Sequence, residues 1–470
     1  MKPHTEVRSP RLIAFVLMFG SFIGLFGETA LNMALTDVME EFVIAPSTAQ
    51  WLTTGYLLVL AILVPLSSYL SRWFTTRQLI VSALSFSLLG SLLGALAPSF
   101  TVLLIGRMVQ AIGTGIFLPL MFSVILIIFP MEKRGAVMGI VGLVLTSGPA
   151  LGPTIAGLII SSSSWHYIFW IMISLYALVL IIGASRIENT STITKPKIDI
   201  VSLLLSTISF GGIVYSLATM AEVSFSDTQV WLPLVVGVVA LLLFVLRQLT
   251  MAEPMINLQV FKRPMFSLGV VMMIATLFMI LSVAILTPLY LKSVLGYTAI
   301  GAGLLMLPGN VLNIIMSPIV GTNFDKVGAR VFTRLGYAMM TIAAILFLVT
   351  ISSTTPVWQI VVILCIFFVG VSMTIMPAQT NAMNALPAHL YADGSAALNT
   401  LTQVAGAAGT AVAITVFTSG QNSYIAEHGA SEPLKFLAYG INHAMIPVLV
   451  VAVIGLIASV FIKNSRSAHE

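Results

Sequence analysis

Fourteen apolar stretches, each long enough to cross a lipid bilayer as a helix, follow one another along the 470-residue chain. A bilayer core of about 30 Å requires around 20 residues of helix, because lipid cannot satisfy free backbone polar groups. We therefore predict an all-α integral membrane protein. Its fourteen transmembrane helices are predicted at 12–35, 50–70, 79–97, 100–129, 135–161, 166–185, 199–220, 229–248, 266–291, 299–321, 331–352, 357–381, 394–419 and 439–463.

The composition excludes several other classes of protein. Hydrophobic residues make up 58% of the chain and charged residues only 8%, whereas soluble domains carry roughly 25% charged residues. The single cysteine, Cys365, excludes a disulfide framework and a Cys-based metal or redox motif. Residues 1–10 lead into an apolar run too long for a signal-peptide core, so we expect the first helix to be retained.

The basic residues predict the orientation in the membrane. If the N-terminus is cytoplasmic, 18 of the 21 Lys and Arg residues fall on the cytoplasmic side, and only Lys292 and Lys435 fall in the outer loops. This asymmetry is typical of multi-pass proteins, so we predict cytoplasmic termini in the cell membrane. The longest outer loop is predicted at 420–438. Because the basic residues lie in short loops, no nucleic-acid partner is expected.

A repeated loop sequence divides the chain. SYLSRWFTTR at 68–77 and GTNFDKVGAR at 321–330 each follow the second helix of a six-helix block. Such repeats are typical of transporters built from two related halves. We predict a six-helix half at 1–190, two inserted helices at 195–250 and a second six-helix half at 260–470. Packing, lipid contact and association remain open as roles for the inserted pair.

Glu28 and Arg107 are the charged residues that lie deep within predicted spans. Such charges are costly and mark functional sites by default. Both residues lie about seven positions from the outer end of their helices, or roughly 10 Å deep, so a direct or water-mediated pair is possible. An apolar site favours a neutral carboxyl group and a nearby Arg favours an ionised one, and this competition suits a proton switch. The alternative is a structural pair that fixes helix register.

Other polar residues in the spans have two open interpretations. Asn32 and Gln110 share helix faces with Glu28 and Arg107, and either extend a polar network or form ordinary hydrogen bonds between helices. The same choice, between lining a substrate cavity and joining helices, applies to Asn310, Asn313, Gln379 and Gln403. The 24 Met and 26 Phe residues suit an adaptable apolar pocket, although they also suit a lipid-facing surface.

Three sequence motifs occur in the spans and loops. The glycine-proline motif is Gly148, Pro149, Gly152, Pro153 and Gly157; the fourth-span motif is Arg107, Gln110, Gly113 and Gly115; the loop motif is Gly321, Asp325, Lys326, Gly328 and Arg330. These motifs resemble those of the major facilitator superfamily, in particular its fourteen-helix drug:proton antiporters of the quaternary-ammonium and lincomycin efflux type. The resemblance covers essentially the whole chain. It implies antiport, proton transfer assisted by Arg107, and a cytoplasmic latch formed by the loop motif.

The chain departs from the family pattern at three places, the mildest of which is Ala111 in place of the usual Gly of the fourth-span motif. In the first half of the chain, Ser68, Arg72 and Thr75 replace the expected Gly, Asp and Gly of the loop motif, and Arg77 survives; a carboxylate-based latch is therefore in doubt there. In the first helix, the family's acidic position is Gly27, and Glu28 follows it. A shift of one residue rotates a side chain by about 100° around the helix.

These features favour one function over its rivals. We predict a monomeric, proton-coupled antiporter that exports amphipathic organic compounds by alternating access, without a cofactor or metal. No GxxxxGK[ST] phosphate loop is present, which disfavours an ATP-driven pump. A polytopic enzyme is disfavoured because the chain has no HExxH or GxSxG motif, and a ligand sensor is a further alternative. Export or import of one dedicated metabolite, lipid or ion is the main rival.

Overall fold

The computed structural model describes residues 9–44, 46–184, 187–189, 193–194, 199–220, 226–429 and 431–464. These ranges contain sixteen α-helices, two short 3₁₀ helices and no β-strand. The helices are α1 (Pro10–Met33), α2 (Leu35–Phe42), α3 (Pro46–Ala49), α4 (Trp51–Trp73), α5 (Thr76–Ala95), α6 (Phe100–Ile128), α7 (Met131–Ser162), α8 (His166–Ala184), α9 (Ile200–Thr219), α10 (Thr228–Thr250), α11 (Pro264–Ser293), α12 (Ala299–Val327), α13 (Ala329–Thr350), α14 (Val357–Asn384), α15 (Tyr391–His428) and α16 (Pro433–Phe461).

The all-helical membrane architecture predicted from the sequence is confirmed. Thirteen helices of the described ranges are long and apolar enough to cross a membrane. The predicted span at 135–161 corresponds to α7, which is a continuous helix of 32 residues but is not among those thirteen. The exact count of fourteen spans and the orientation of the termini therefore stay predictions.

Two predicted loops are wrong in position. The outer loop expected at 420–438 is largely helical, because α15 continues to His428 and α16 begins at Pro433. Gly321, Asp325 and Lys326, expected in a loop, lie in the last turns of α12. In both places polar residues extend a helix beyond the apolar core, where water and headgroups tolerate them, so hydropathy alone ended the helix too early.

Local signals set the helix boundaries. A capping box begins α5, where the Thr75 hydroxyl accepts a hydrogen bond from Gln78 N and the Gln78 side chain accepts one from Thr75 N. Pro10 and Pro264 occupy the first turns of α1 and α11, where a missing N–H costs nothing. Gly328, with φ of +83°, ends α12 in a conformation that L side chains rarely adopt.

The helices form two groups with separate cores. We call α1–α8 the amino-terminal group, α11–α16 the carboxy-terminal group, and α9–α10 the middle pair. One buried cluster centres on α1, α5, α6 and α8 and another on α11, α13, α14 and α16. The groups meet mainly through α7 against α12 and α14, and through α15 against α4 and α6.

The middle pair lies beside this junction rather than apart from it. Its helices pack together, and α9 also contacts α4 of the amino-terminal group and α15 of the carboxy-terminal group. Ala61 of α4, Phe210 and Val214 of α9, and Val404 of α15 form one apolar contact. The exposed side of α10 is a row of Val and Leu residues, as expected for a surface that faces lipid.

Candidate functional site

Close packing of α1 against α6 brings the two predicted intramembrane charges to one level. A Cβ on Gly24 would lie only 2.5 Å from Thr114 Oγ1, so the two helices approach closely. Arg107 Nη1 donates a hydrogen bond to the carbonyl oxygen of Gly27 at 3.3 Å. Gly27 precedes Glu28 in α1. The structure therefore agrees with the similar depths that the sequence predicts for Glu28 and Arg107.

Arg107 is held in a buried polar site. It is 1% exposed, its Nη1 also donates to Gln110 Oε1 at 3.0 Å, and its guanidinium lies 4.3 Å from the centre of the Tyr56 ring. A cation over an aromatic face is attracted by the ring quadrupole. Its Nε is buried without a hydrogen-bond partner among the described residues.

Neighbouring side chains fix this site in turn. Gln110 Nε2 donates to Ser91 Oγ on α5 at 2.8 Å, and the Tyr56 hydroxyl donates to Thr114 Oγ1 on α6 at 2.8 Å. Gln110 therefore belongs to a network that includes Arg107. Tyr56 was missed by the sequence reasoning, because aromatic residues are common in membrane spans and carry no distinct signal. Asn32 lies in α1, and its side chain is outside the described part of the chain.

Glu28 lies beside this network without joining it. Its side chain is half-buried, and it forms no ion pair within 4.0 Å and no side-chain hydrogen bond with any described residue, Arg107 included. A carboxyl group in this position can gain or lose a proton without first breaking an ion pair. Arg107 is near enough for electrostatic interaction with it. A titratable group with a nearby fixed cation is therefore present.

The glycine-proline motif of α7 packs against the helix that carries Glu28. A Cβ on Gly148 would lie 3.0 Å from Leu25 Cβ, and one on Gly152 would overlap Thr29 Oγ1. Gly157 is looser, since the nearest side-chain atom would be 3.9 Å away. Pro149 and Pro153 also lie in α7, and the side chain of Pro153 is not described. The motif thus lets α7 approach α1 next to Glu28.

Gly152→Ala is expected to destabilise the protein, whereas Gly157→Ala is expected to leave it nearly unchanged. The added methyl at Gly152 meets Thr29 Oγ1 and also Phe26 O at 3.0 Å, so α1 and α7 must separate. Overpacking of this kind costs about 1–3 kcal/mol. Thermal unfolding of the two purified variants in detergent checks this. Equal midpoints for both variants would contradict the close packing of the two helices.

The two groups also meet at a buried carboxylate that the sequence reasoning did not single out. Asp393, in the first turn of α15, is 1% exposed. Arg72 Nη2 of α4 donates to its two carboxylate oxygens at 2.5 and 2.6 Å, and Ser68 Oγ donates to Oδ1 at 2.6 Å. The degraded loop motif therefore does contact a carboxylate, which the opposite group supplies. We call Ser68, Arg72 and Asp393 the Asp393 cluster.

The intact loop motif makes a second contact between the groups. A Cβ on Gly139 of α7 would lie 2.8 Å from Gly321 Cα, and one on Gly135 would lie 2.5 Å from Asp325 Oδ1. Asp325 therefore sits against the first turns of α7, where a helix N-terminus favours negative charge. We call the face on which α1 begins the amino-terminal face. The end of α12 and the start of α7 lie there, as does the Asp393 cluster.

The remaining residues of the loop motif lie around this contact. Lys326 is exposed at the end of α12. A Cβ on Gly328 would overlap the Asn464 side chain, and Arg330 N donates to Asn464 Oδ1 at 3.0 Å, so both residues pack on the segment after α16. Arg77, at the start of α5, donates through its backbone N to Asn189 Oδ1 at 3.3 Å.

Arg134 forms a third contact between the groups. The sequence reasoning counted it among loop residues, but it lies within α7 and is 9% exposed. Its Nη1 donates to Asn384 Oδ1 of α14 and to the Tyr391 hydroxyl of α15, each at 3.1 Å. Three polar contacts, around Asp393, Asp325 and Arg134, thus join the two groups at the amino-terminal face.

The structure does not gather the predicted cavity residues into one cluster. Asn313 and Gln379 are buried, whereas Asn310 and Gln403 are half-buried. No side-chain hydrogen bond joins any two of these four within the described ranges. The Oδ1 atom of Asn313 is buried without a described partner. Asn313 therefore carries an unused acceptor that a hydrogen-bond donor can reach only if α12 or its neighbours move.

Comparisons with known proteins agree with this architecture. The chain is 48% identical over 464 residues to the lincomycin resistance protein LmrB of Listeria monocytogenes, and the match covers 98% of each chain. It is 25% identical over 413 residues to the probable multidrug resistance protein EmrY of Escherichia coli, and that match covers 86% of this chain and 80% of EmrY. The structure of human organic anion transporter MFSD10 superposes with a TM-score of 0.68 at 13% identity, covering 96% and 99%.

A second solved structure gives the same result. The proton:xylose symporter XylE superposes with a TM-score of 0.67 at 14% identity, covering 98% of this chain and 97% of that one. The model of the Major Facilitator Superfamily matches residues 17–410, which is most of the chain. The helical fold, the motifs and these matches agree, and the chain belongs to the major facilitator superfamily.

Proposed function

We propose that the chain is a proton-coupled antiporter that exports amphipathic drugs, lincomycin among them, across the cytoplasmic membrane. The observation that carries the substrate class is the 48% identity, over nearly the full length, to proteins named for lincomycin resistance. More distant relatives named for multidrug resistance support a range of substrates wider than one compound.

The coupling part of the proposal rests on the site between α1 and α6. Glu28 is an intramembrane carboxyl group without an ion-pair partner among the described residues, and Arg107 beside it is held by Gly27 O, Gln110 and the Tyr56 ring. A fixed cation makes the ionised form of a nearby carboxyl group more stable, and an apolar surrounding makes it less stable. Movement of α1 relative to α6 changes the balance between these two effects, so that Glu28 binds a proton in one position and releases it in the other. In this way a proton is transferred between the two sides of the membrane.

The proposed cycle uses the contacts between the groups as its gate. In the proposed cycle, the Asp393, Asp325 and Arg134 contacts hold the amino-terminal face closed while the site exchanges protons and drug with the opposite face. Protonation of Glu28 from that side favours release of the drug. Separation of the groups at the amino-terminal face, proposed to be cytoplasmic, then allows the proton to leave and a new drug molecule to bind.

A growth panel tests the proposal. An efflux-deficient bacterial host expressing the chain is expected to survive higher concentrations of lincomycin and of several chemically unrelated amphipathic cations, compared with a host carrying an empty vector. The Glu28→Gln variant, expressed at the same level, is expected to give no protection. Protection against one compound only would replace the multidrug proposal with a dedicated exporter, and protection against none would reject drug export.

A further inference from the structure

The linker that follows the middle pair takes part in the Asp393 cluster. Three of its backbone groups face the cluster: Arg72 Nη1 donates to Pro254 O at 3.0 Å, Ser68 Oγ lies 3.2 Å from Met255 O, and Asn257 N donates to Asp393 Oδ1 at 3.2 Å. Residues 254–257 therefore contact α4 and α15 at the same time. They bridge the amino-terminal and carboxy-terminal groups across the polar contact that joins them.

Gln248, in the last turn of α10, holds this linker in place. Its side chain is 3% exposed. Its Oε1 atom accepts hydrogen bonds from Met255 N at 2.7 Å and Ile256 N at 3.3 Å, and its Nε2 atom donates to Ser202 Oγ on α9 at 2.6 Å. One buried amide thus joins both helices of the middle pair to the linker, and its hydrogen-bonding atoms satisfy backbone donors that would otherwise be buried and unpaired.

An ion pair between the two helices of the middle pair lies beside Gln248. Arg247 donates through Nε and Nη2 to the two carboxylate oxygens of Asp199 at 2.7 and 2.8 Å, and the Ser202 hydroxyl donates to the same carboxylate at 2.5 Å. A bidentate pair of this kind fixes geometry as well as contributing energy. The start of α9 and the end of α10 are therefore joined at the level of Gln248.

Apolar packing reinforces the same bridge. Met255 and Ile256 are 2% and 3% exposed, and they pack in one cluster with Tyr69 of α4, Phe244 of α10 and Ala397 of α15. This cluster therefore contains a residue of the amino-terminal group, a residue of the carboxy-terminal group and a residue of the middle pair, all packed against the linker. When the two groups separate, at least one of these side chains must lose its contact with the linker.

We propose that Gln248 is a positioning residue for the transport cycle: by holding residues 254–257 against Arg72, Ser68 and Asp393, it makes the middle pair a clasp that keeps the amino-terminal face closed. The clasp rests on the alternating access proposed above. Its two hydrogen-bonded sides move apart when that face opens, so the middle pair sets how readily the two groups separate.

Labelling of a buried reporter tests the clasp without drug or proton gradient. Ser395 of α15 is 1% exposed and donates to Pro119 O of α6 at 2.8 Å, so it lies between the groups. In a Cys365→Ala background, Ser395→Cys reacts with a water-soluble maleimide only when the groups separate. Gln248→Leu is expected to raise the labelling rate about fivefold, as the loss of one net hydrogen bond does to an equilibrium.

A matched control lies on the same helix. Gln229 is exposed in the first turn of α10, and Gln229→Leu is expected to leave the labelling rate at that of the parent. Asp393→Asn, which weakens the cluster itself, is expected to raise the rate. If Gln248→Leu labels at the parent rate while Asp393→Asn labels faster, the middle pair is not part of the gate and the proposal is overturned.

A milder variant covers the case in which Gln248→Leu does not fold. If that variant loses its helical circular dichroism signal, Ser202→Ala decides, because it keeps the Gln248 side chain and removes the hydroxyl that accepts a hydrogen bond from Gln248 Nε2 and donates one to Asp199. Faster labelling of Ser202→Ala supports the clasp, and labelling at the parent rate overturns it. Because no drug or gradient is present, a failure of the Glu28 coupling leaves this measurement intact, and a failure of the clasp leaves the Glu28 test intact.

Discussion

In vesicles with a pH difference of two units, the parent protein is expected to accumulate a neutral drug by up to about 100-fold if one proton exchanges for one drug molecule. Each pH unit is a tenfold ratio of proton concentration, and a one-for-one exchange converts that ratio into an equal ratio of drug concentration. The Glu28→Gln variant is expected to reach equal concentrations on both sides. Glutamine keeps the size of the side chain, and the carboxyl group forms no ion pair with any described residue, but an amide cannot carry the proton. Steady-state accumulation of radiolabelled drug measures the effect.

Two further measurements make this result specific to coupling. Drug exchange between labelled and unlabelled pools, with no pH difference, is expected to continue in Glu28→Gln, because it needs no proton. Glu40→Gln, at an exposed carboxylate in the short helix α2, is expected to accumulate drug as the parent does. Parent-level accumulation by Glu28→Gln would place coupling elsewhere. Loss of exchange as well would mean that Glu28 serves binding or structure instead.

The spans were predictable because lipid imposes one requirement on every segment. Apolar length alone located helices such as α6, predicted at 100–129 and observed over Phe100–Ile128, to within a residue. The relative depth of Glu28 and Arg107 followed from the same reasoning, since helix rise converts position in the chain into distance across the bilayer. The hydrogen bond from Arg107 to Gly27 O agrees with that depth.

Contacts between distant segments were not predictable in this way. Asp393 and Arg72 are 321 residues apart, and nothing in either local sequence marks the other as its partner. The predicted helix began at 394, one residue after Asp393, so this carboxylate was treated as part of a loop. In the structure α15 begins at Tyr391, which places Asp393 in the first turn and buries it. An error of three residues therefore hid this buried carboxylate.

The two loop motifs contribute charges of opposite sign to the contacts at the amino-terminal face. In the intact motif the carboxylate, Asp325, lies on α12 and approaches the start of α7. In the altered motif the cation, Arg72, lies on α4, and the carboxylate, Asp393, lies at the start of α15. Both arrangements place negative charge near a helix N-terminus, where it is stabilised. At the altered motif of this chain, the carboxylate is therefore supplied by the other group.

Reversing either charge of the Asp393 cluster alone is expected to abolish most transport, and reversing both is expected to restore part of it. Asp393→Arg places two cations together in a buried site, and Arg72→Asp places two carboxylates there. Breaking a buried pair costs about 3–5 kcal/mol, or roughly 100-fold or more in the population of the closed state. Drug transport by vesicles containing Arg72→Asp, Asp393→Arg or both measures this.

The rescue is expected to be partial for a reason visible in the cluster. Asn257 N and Ser68 Oγ donate hydrogen bonds to Asp393, and in the double variant these donors face a cation instead of a carboxylate. Lys435→Glu, which disrupts the exposed pair with Glu432 on the opposite face, is expected to change transport little, since exposed pairs contribute about 0–1 kcal/mol. Parent-level transport by Asp393→Arg alone would show that this ion pair does not hold the two groups together at the amino-terminal face. If the double variant transports no better than either single variant, the two charges do not act through each other.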